Sequence, residues 1–444
     1  MNEQPRRFLQ RVWETVRQPP TVAAARAADN LVALCDALLS ERGEVSGARI
    51  AAEAMTAYEQ LTDAGRDAFF ARLVDHYGGD AGKVNLAMEN YRANPTPSRL
   101  HDLHVAAESR RQELFRRLNT APGGTRTLVQ MRADLLRTLD DRPERSIVDA
   151  DLVHMFRSWF NRGFLVLQRI DWRTSALVLE RLIQYEAVHQ IQGWDDLRRR
   201  LEKDRRCYAF FHPALPDEPL IFIEAALTPG IIGTVQPLLD PHAPIADPAD
   251  ARCAIFYSIT NCQLGLRGVS FGNFLIKQVV EDLSGEFRRL RKFATLSPIP
   301  GFRGWLSSHR TFMSEELASL EIQDAATLAK VAPPLKDEIL RLCAYFLLRA
   351  KRGHAPLDPV ARFHLANGAR LARLNWLGDS SRAGIAASLG VTANYVYRIA
   401  DVESNHEAYA KNFRVVTSST LERLAREVRA RGEEAPRLRD AEKG

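Results

Sequence analysis

The chain has 444 residues, of which 45% are hydrophobic and 26% charged, the composition of an ordinary globular protein. Its length exceeds what one hydrophobic core usually serves, so two domains are expected. No apolar run approaches the roughly 20 residues of a membrane-spanning helix. The net charge of +6 is spread along helices of mixed sign, which argues against a nucleic-acid partner.

Five cysteines are scattered along the chain without a CxxC pair: Cys35, Cys207, Cys253, Cys262 and Cys343. A sparse, odd set suits a reducing compartment and argues against a disulfide framework or a zinc site. The first twenty residues are charged throughout and lack the apolar core of a signal peptide. The sequence therefore predicts a cytoplasmic protein with buried thiols, without a metal site and without a membrane segment.

The first third of the chain predicts helices only. Apolar residues recur at helical spacing over 22–41 and over five further segments, of which 99–118 is read as one continuous helix. Short breaks separate the segments at Gly78 and Gly79, over 95–98 and over 121–125. The pattern indicates an all-α helical bundle over 1–160, and its residues suggest no chemistry.

After about Phe160 the sequence becomes rich in aromatic and β-branched residues. Three runs predict strands, over 206–213, 220–227 and 253–259, and the Pro- and Asp-rich segment 229–250 predicts a long loop. The remainder of the chain, 161–444, is therefore expected to be a mixed α/β domain.

The most informative stretch is CAIFYSITNCQLGLRGVSFGNFLIKQVVEDLSGEFRRLRKFATLSPIPGF. It predicts a strand that ends near Ile259, a glycine-rich loop, a helix that begins near Asn273, and a strand over 293–296 followed by Ser297. Such a crossover makes the two strands parallel neighbours. The loop and Ser297 then lie at the carboxyl ends of the strands, where open α/β sheets bind ligands.

Glycines at a helix entrance leave backbone amides free for a phosphate group. Arg267 within the loop and Lys277 on the first helical turn add positive charge. The same loop is also compatible with a plain turn, and Lys277 with a solvated helix face. Ser297 is stiffened by the Pro-Ile-Pro-Gly run that follows, and it is equally compatible with a serine turn before prolines.

A second dense stretch covers 357–398. Asp358 and Pro359 begin a short helix that carries His364, a strand follows over 369–377, and Ser380 or Ser381 begins another helix. The segment VTANYVYR predicts a further strand. His364 lies between two apolar neighbours, so its sequence context is compatible with two interpretations, a hydrogen-bonded core histidine and a catalytic histidine.

These two stretches resemble the malonyl-CoA decarboxylase family. The motifs that carry the resemblance are CYAFFHPALPDEPLIFIEAALT, FYSIT, GLRGVSFGNFLIKQVV, TLSPIPGF, LDPVARFHLANGARLARLNWLGD and TANYVY, over roughly 157–397. The resemblance implies an α+β protein, with a helical oligomerisation domain over 1–160 and a catalytic domain of the GNAT acyltransferase fold over 161–444.

The resemblance also implies the site residues. The catalytic serine falls on Ser297 and the catalytic histidine on His364. The CoA-binding residues would be Arg267, Gly268, Val269, Ser270, Phe271, Gly272, Asn273, Ile276 and Lys277. Some family members have an acidic residue where this chain has Ser270, so a role of that carboxylate does not transfer. Second-rank candidates, each as compatible with a structural role, are Asn367, Asn375, Asp379, Asn394 and Tyr395.

The implied reaction converts malonyl-CoA to acetyl-CoA and carbon dioxide through a thioester enolate, without a metal or organic cofactor. Ser297 would hydrogen-bond the thioester or the carboxylate, and His364 would donate the proton, since an ordinary histidine titrates near working pH. The expected partners are malonyl-CoA, acetyl-CoA and further copies of the chain in a dimer or tetramer. A GNAT-type N-acyltransferase and a non-catalytic acyl-CoA-binding protein are the alternatives.

Overall fold

The computed structural model describes residues 20–269, 271, 275–320, 322 and 324–429. It divides into two compact units. The first holds the described residues up to Leu165 together with the segments His212–Pro216 and Gln263–Phe271, and the second holds Val166–Phe211, Asp217–Cys262 and the described residues after Phe271.

The first unit is built from helices. They are α1 Pro20–Ser40, α2 Glu44–Glu59, α3 Asp63–His76, α4 Ala81–Ala93, α5 Pro97–Ala107, α6 Arg110–Leu118, α7 Gly124–Leu136 and α8 Ser146–Trp159. The all-α prediction for this part of the chain is confirmed.

The single helix predicted over 99–118 is wrong, because the chain breaks between α5 and α6. Glu108 and Ser109 have extended backbones. The backbone N–H groups of Arg110 and Arg111 donate to the carbonyls of residues 78 and 77 at distances of 3.5 and 3.0 Å. These tertiary hydrogen bonds outweigh the local preference for a continuous helix, which is weak in any case.

The second unit contains a seven-stranded mixed sheet in the order β1-β2-β3-β4-β5-β9-β8, and a two-stranded hairpin of β6 and β7. The strands are β1 Val166–Ile170, β2 Arg205–Phe211, β3 Ile221–Thr228, β4 Cys253–Asn261, β5 Lys292–Thr295, β6 Lys351–Arg352, β7 Ala355–Pro356, β8 Arg370–Asn375 and β9 Thr392–Tyr397. The predicted strands are all present, and the α+β class is confirmed.

Helices connect and cover these strands. They are α9 Ala176–Tyr185, α10 Trp194–Arg200, α11 Gln236–Leu239, α12 Leu275–Glu286, α13 Phe302–Ser308, α14 Glu315–Ser319, α15 Ala325–Ala329, α16 Pro333–Arg349, α17 Pro359–Ala366, α18 Arg382–Ser388, α19 Ile399–Asn412 and α20 Ser419–Arg429. The predicted loop over 229–250 contains the short helix α11. Within the described ranges, no helix is both long and apolar enough to cross a bilayer.

The predicted crossover is confirmed: β4 and β5 are parallel neighbours, paired from Cys253 with Lys292 to Phe256 with Thr295. Between them α12 buries the apolar face that the sequence predicted, Leu275, Ile276, Val279, Val280 and Leu283. The predicted helix start at Asn273 lies outside the described residues.

The β4–β5 ladder is short for a chemical reason. Its last backbone hydrogen bond runs from the Leu296 N–H to the Phe256 carbonyl, at 2.9 Å. Alternate residues of a strand direct their N–H groups to the same neighbour, so the next donor towards β4 would be residue 298. That residue is Pro298, which has no N–H, and β4 continues to Asn261 beside β3 alone. The two strands therefore part next to Ser297.

The helical unit contains buried ion pairs. Asp151 accepts hydrogen bonds from Arg111 Nε at 2.8 Å, from Ser109 Oγ at 2.8 Å and from Gln112 Nε2 at 2.7 Å. Arg111 and Asp151 are both buried. The carboxylate is thus the main compensation for a guanidinium that the fold has removed from water.

We expect Asp151→Ala to lower the free energy of unfolding by roughly 3–5 kcal/mol, because it leaves Arg111 buried without its carboxylate. Glu53→Ala is the matched control, since the Arg49–Glu53 pair is 66% and 48% exposed and such pairs contribute about 0.5 kcal/mol. Urea unfolding of both variants measures the difference. Equal small losses would show that the buried pair contributes no more than the exposed one.

Candidate active site

Ser297 follows β5 and is held by backbone and side-chain hydrogen bonds. Its N–H and carbonyl exchange hydrogen bonds with Ala393 of β9, at 2.8 and 2.9 Å. Its Oγ lies 2.8 Å from Thr295 Oγ1 and 2.9 Å from His364 Nε2. Because residues two apart on a strand share a face, Thr295 and Ser297 present their hydroxyls to the same space.

His364 lies in the last turn of α17. The Asp358 carboxylate caps this helix by accepting from the Ala361 N–H at 2.7 Å, and Pro359 occupies the first helical position. The imidazole Nδ1 lies 2.8 Å from Tyr397 Oη, and the ring stacks on Tyr395 with centroids 4.5 Å apart. The ring is therefore fixed in both position and orientation.

Tyr397, His364, Ser297 and Thr295 form one continuous hydrogen-bonded chain. When Ser297 donates to Thr295, His364 Nε2–H donates to Ser297 and Nδ1 accepts from Tyr397. Ser297 Oγ has one proton, which it donates to Thr295, so the hydrogen bonds define the neutral tautomer with its proton on Nε2. The resting structure therefore places the imidazole proton on the nitrogen that faces Ser297.

His364 is 3% exposed and Ser297 5% exposed. Burial lowers the pKa of His364 to about 3, because the charged imidazolium loses its hydration. The expectation that this histidine titrates near working pH is therefore wrong for the structure as it stands. The resting imidazole is neutral.

Two residues of this hydrogen-bonded series, Thr295 and Tyr397, were not among the candidates that the sequence predicted. Strand periodicity could have identified both residues, because residues two apart on a strand share a face. Thr295 lies two residues before Ser297, and Tyr397 lies two residues after the second-rank candidate Tyr395. The contact between Tyr397 and His364 depends on how β9 and α17 pack, which the sequence does not encode locally.

Most second-rank candidates bond elsewhere. Asn375 Nδ2 donates to Asn394 Oδ1 at 3.0 Å, and Asn394 Nδ2 donates to the Thr295 carbonyl at 2.5 Å. Asp379 accepts from Gln236 Nε2 at 2.9 Å, and Asn367 Nδ2 donates to the Phe363 carbonyl at 2.9 Å. These side chains hold strands and turns together.

The glycine-rich loop begins in the helical unit, where Arg132 holds its backbone. Arg132 Nη1 donates to the carbonyls of Gly265 and Arg267 at 2.7 and 2.8 Å, and its Nε pairs with Asp149 at 2.7 Å. A Cβ at Gly265 would lie 1.9 Å from the Val129 carbonyl oxygen. The close backbone approach at Gly265 is therefore to α7 of the same unit.

The other predicted loop residues differ in their exposure. Arg267 and Gly268 are exposed, and Gly268 has a φ of +79°, which favours glycine. Val269 and Phe271 are buried. Ser270, Gly272 and Asn273 lie outside the described residues.

The two predicted residues on α12 differ in their surroundings. Ile276 is buried in the core. Lys277 Nζ pairs with Glu403 of α19 at 2.8 Å, and it lies 3.9 Å from Glu281. A phosphate group at Lys277 would have to compete with Glu403 for the ammonium group.

A helical unit, and a mixed-sheet unit in which parallel strands part beside a buried Ser–His pair, define a two-part α+β protein of the class that the sequence predicted. The family model "Malonyl-CoA decarboxylase C-terminal domain" matches residues 163–435, and "Malonyl-CoA decarboxylase N-terminal domain" matches 77–160. The chain belongs to the malonyl-CoA decarboxylase family, and the prediction of a carboxy-lyase is confirmed.

Curated relatives agree with this assignment. The mitochondrial malonyl-CoA decarboxylase of Anser anser anser is 36% identical over 412 residues, which cover 83% of this chain and 82% of that protein. The mitochondrial enzyme of Rattus norvegicus is 33% identical over 413 residues, covering 83% and 84%.

Solved structures agree as well. Malonyl-CoA decarboxylase from Rhodopseudomonas palustris is 48% identical with a TM-score of 0.85, and the match covers 89% of this chain and 99% of that one. The enzyme from Agrobacterium vitis is 46% identical with a TM-score of 0.81 and the same coverage.

The low pKa of His364 predicts a pH dependence of stability. Because the folded pKa, about 3, lies below the ordinary 6.5, the native state binds fewer protons than the unfolded chain. The stabilisation is complete above about pH 6.5 and is lost as the pH falls towards 3. Relative to His364→Asn, the wild type should lose about 2.5 kcal/mol between pH 7.5 and 4.5.

Denaturant unfolding of wild type and His364→Asn at both pH values checks this prediction, since all other titrating groups are common to the two proteins. A constant difference between them at both pH values would contradict a buried, neutral His364.

Proposed function

We propose that this chain decarboxylates malonyl-CoA to acetyl-CoA through a thioester enolate, with Ser297 as the hydrogen-bond donor and His364 as the proton donor. The observation that carries the proposal is the buried hydrogen-bonded chain from Tyr397 to Thr295 at the point where β4 and β5 part. Loss of carbon dioxide places negative charge on the thioester oxygen, and a preorganised donor in a dry site stabilises such charge by about 3 kcal/mol.

A neutral His364 can still supply the proton. A thioester enolate is a stronger base than the anion left when a neutral imidazole or serine loses a proton, so it can take a proton from N–H or O–H. Solvent then replaces that proton, which balances the one consumed in each turnover. Tyr397 acts as a positioning residue, since it fixes which imidazole nitrogen faces Ser297. No covalent acyl-serine is needed.

The parting of the strands suggests where the acyl-CoA lies. Beyond Phe256, β4 continues to Asn261 without β5 as a partner. The amide-containing arm of CoA is an extended chain that can pair with such a strand edge. We propose that the loop residues 267–273, together with Ile276 and Lys277, hold the diphosphate, with Arg132 stiffening the start of the loop.

We propose that the reaction needs no metal or organic cofactor, because the thioester carbonyl itself accepts the electron pair. We also propose a cytoplasmic location for this chain. The five cysteines are free and buried, as the sequence predicted, which suits a reducing compartment.

The first test mixes the purified chain with malonyl-CoA, with no amine acceptor or added metal, and follows acetyl-CoA by mass spectrometry. We expect many turnovers. Ser297→Ala and His364→Ala should each lower kcat by about a hundredfold or more, while the Kd for CoA changes less than threefold. Thr311→Ala, a matched hydroxyl deletion away from the hydrogen-bonded chain, should leave both values unchanged.

Parallel losses of kcat and CoA affinity in the Ser297 and His364 variants would assign these residues to binding instead. If malonyl-CoA stays intact while CoA binds, the chain is an acyl-CoA-binding protein. Turnover only with an added amine would make it an N-acyltransferase.

We further propose that the chain forms a homo-oligomer through the helical hairpin of α4 and α5. Among its described residues neither helix has a buried side chain. Leu86, Leu100 and Val105 are 60%, 50% and 56% exposed. Apolar side chains of this size, gathered on two adjoining helices, suit a contact between copies.

Light scattering after size exclusion tests this contact. The wild type should have a mass at least twice the 50.0 kDa of one chain, and Leu86→Glu with Leu100→Glu should lower it. Ile399→Glu, a similarly exposed position on α19, should not change it. A monomeric wild type, or an unchanged mass in the double variant, would contradict the proposal.

A further inference from the structure

A cavity of about 750 Å³ lies beyond the edge of the sheet, outside β8. Four basic side chains from separate parts of the chain line it: Arg349 at the end of α16, Lys351 of β6, Arg370 of β8 and Arg414 after α19. Glu422 of α20 is the acidic side chain of its lining, and it pairs with Arg349. The volume lies within the usual range for small-molecule sites.

The positive charge of this cavity is not balanced by the protein around it. Within the part of the chain that the structure describes, no ion pair joins Lys351, Arg370 or Arg414 to a carboxylate. Partial burial, with Arg349 nearby, lowers the pKa of Lys351 to about 8. Lys351 is partly buried, whereas Arg349, Arg370 and Arg414 are exposed at the open cavity, and a bound anion would relieve the repulsion among these like charges.

The walls of the cavity are held in place. The Leu371 N–H donates to the Val416 carbonyl at 2.9 Å, and the Ser418 N–H donates to the Leu371 carbonyl at 3.1 Å, so this segment lies along β8. Phe413 adopts a left-handed backbone with a φ of 50°, uncommon for a bulky residue, and its ring stacks on His354. Ser418 then caps α20, whose first turn faces the cavity.

We propose that this cavity binds a small soluble anion that carries two or more phosphate groups. The volume exceeds what a single phosphate fills, and the four cations come from separate elements of the fold. One guanidinium group can donate two parallel hydrogen bonds to the oxygens of a phosphate. The N-terminus of a helix also favours negative charge. The cavity is separate from Ser297, since β9 and β8 lie between it and β5.

Calorimetric titration of the full chain with inorganic pyrophosphate, in 150 mM chloride and with saturating CoA, tests the site. We expect one site on the wild type and about tenfold weaker binding in both Lys351→Gln and Arg414→Gln. Arg352→Gln is the matched control: it removes the same charge from the next residue of β6, is exposed and does not line the cavity. It should change the Kd less than twofold.

Two further measurements distinguish a separate anion site from the substrate site and from a general loss of stability. The cavity variants should bind CoA as the wild type does, and their Tm in the absence of anion should not fall, because removing one of several like charges relieves repulsion. No saturable binding, or equal effects of the control and cavity variants, would overturn the proposal. So would a parallel loss of CoA affinity, which would make the cavity part of the substrate site.

Discussion

The end of the hydrogen-bond ladder between β4 and β5 is the constraint on which the site depends. A parallel pair would otherwise continue as far as both strands run, and its backbone groups would be satisfied within the sheet. Pro298 removes the donor that the next step requires, immediately after the Leu296 N–H has made the last bond to Phe256. Ser297 lies between these two positions, so the sequence itself places the serine where β4 and β5 separate.

Burial then determines the chemical state of the neighbouring histidine. His364 has no carboxylate among its hydrogen-bond partners in the described structure; its ring nitrogens meet the hydroxyls of Ser297 and Tyr397. Neutral partners do not compensate for the lost hydration of an imidazolium, and the pKa falls to about 3. In a serine protease the histidine takes up a proton from the serine, and a buried carboxylate stabilises the imidazolium that forms. In the decarboxylation that we propose, the carbanion would be basic enough to take a proton from a neutral donor.

The sequence predicted those features that are encoded locally or by short-range pattern. The crossover from β4 to β5, the apolar face of α12 and the cap at Asp358 follow from periodicity and capping preferences, and the structure contains all three. It did not predict the break between α5 and α6, which tertiary hydrogen bonds impose. Nor did it predict the contact of Tyr397 with His364, since these residues lie 33 positions apart and meet only through packing.

Buried cations elsewhere in the chain show why the basic cavity differs from a merely structural cluster. Arg111 has Asp151, Arg132 has Asp149 and two loop carbonyls, and Arg200 has both Asp196 and Glu224. In each case the fold supplies the acceptors that desolvation requires. The cavity outside β8 holds more positive than negative side chains on walls that backbone hydrogen bonds keep in place. Its arginines, Arg349, Arg370 and Arg414, are exposed and Lys351 is partly buried, so the excess positive charge faces solvent, where the proposed anion could reach it.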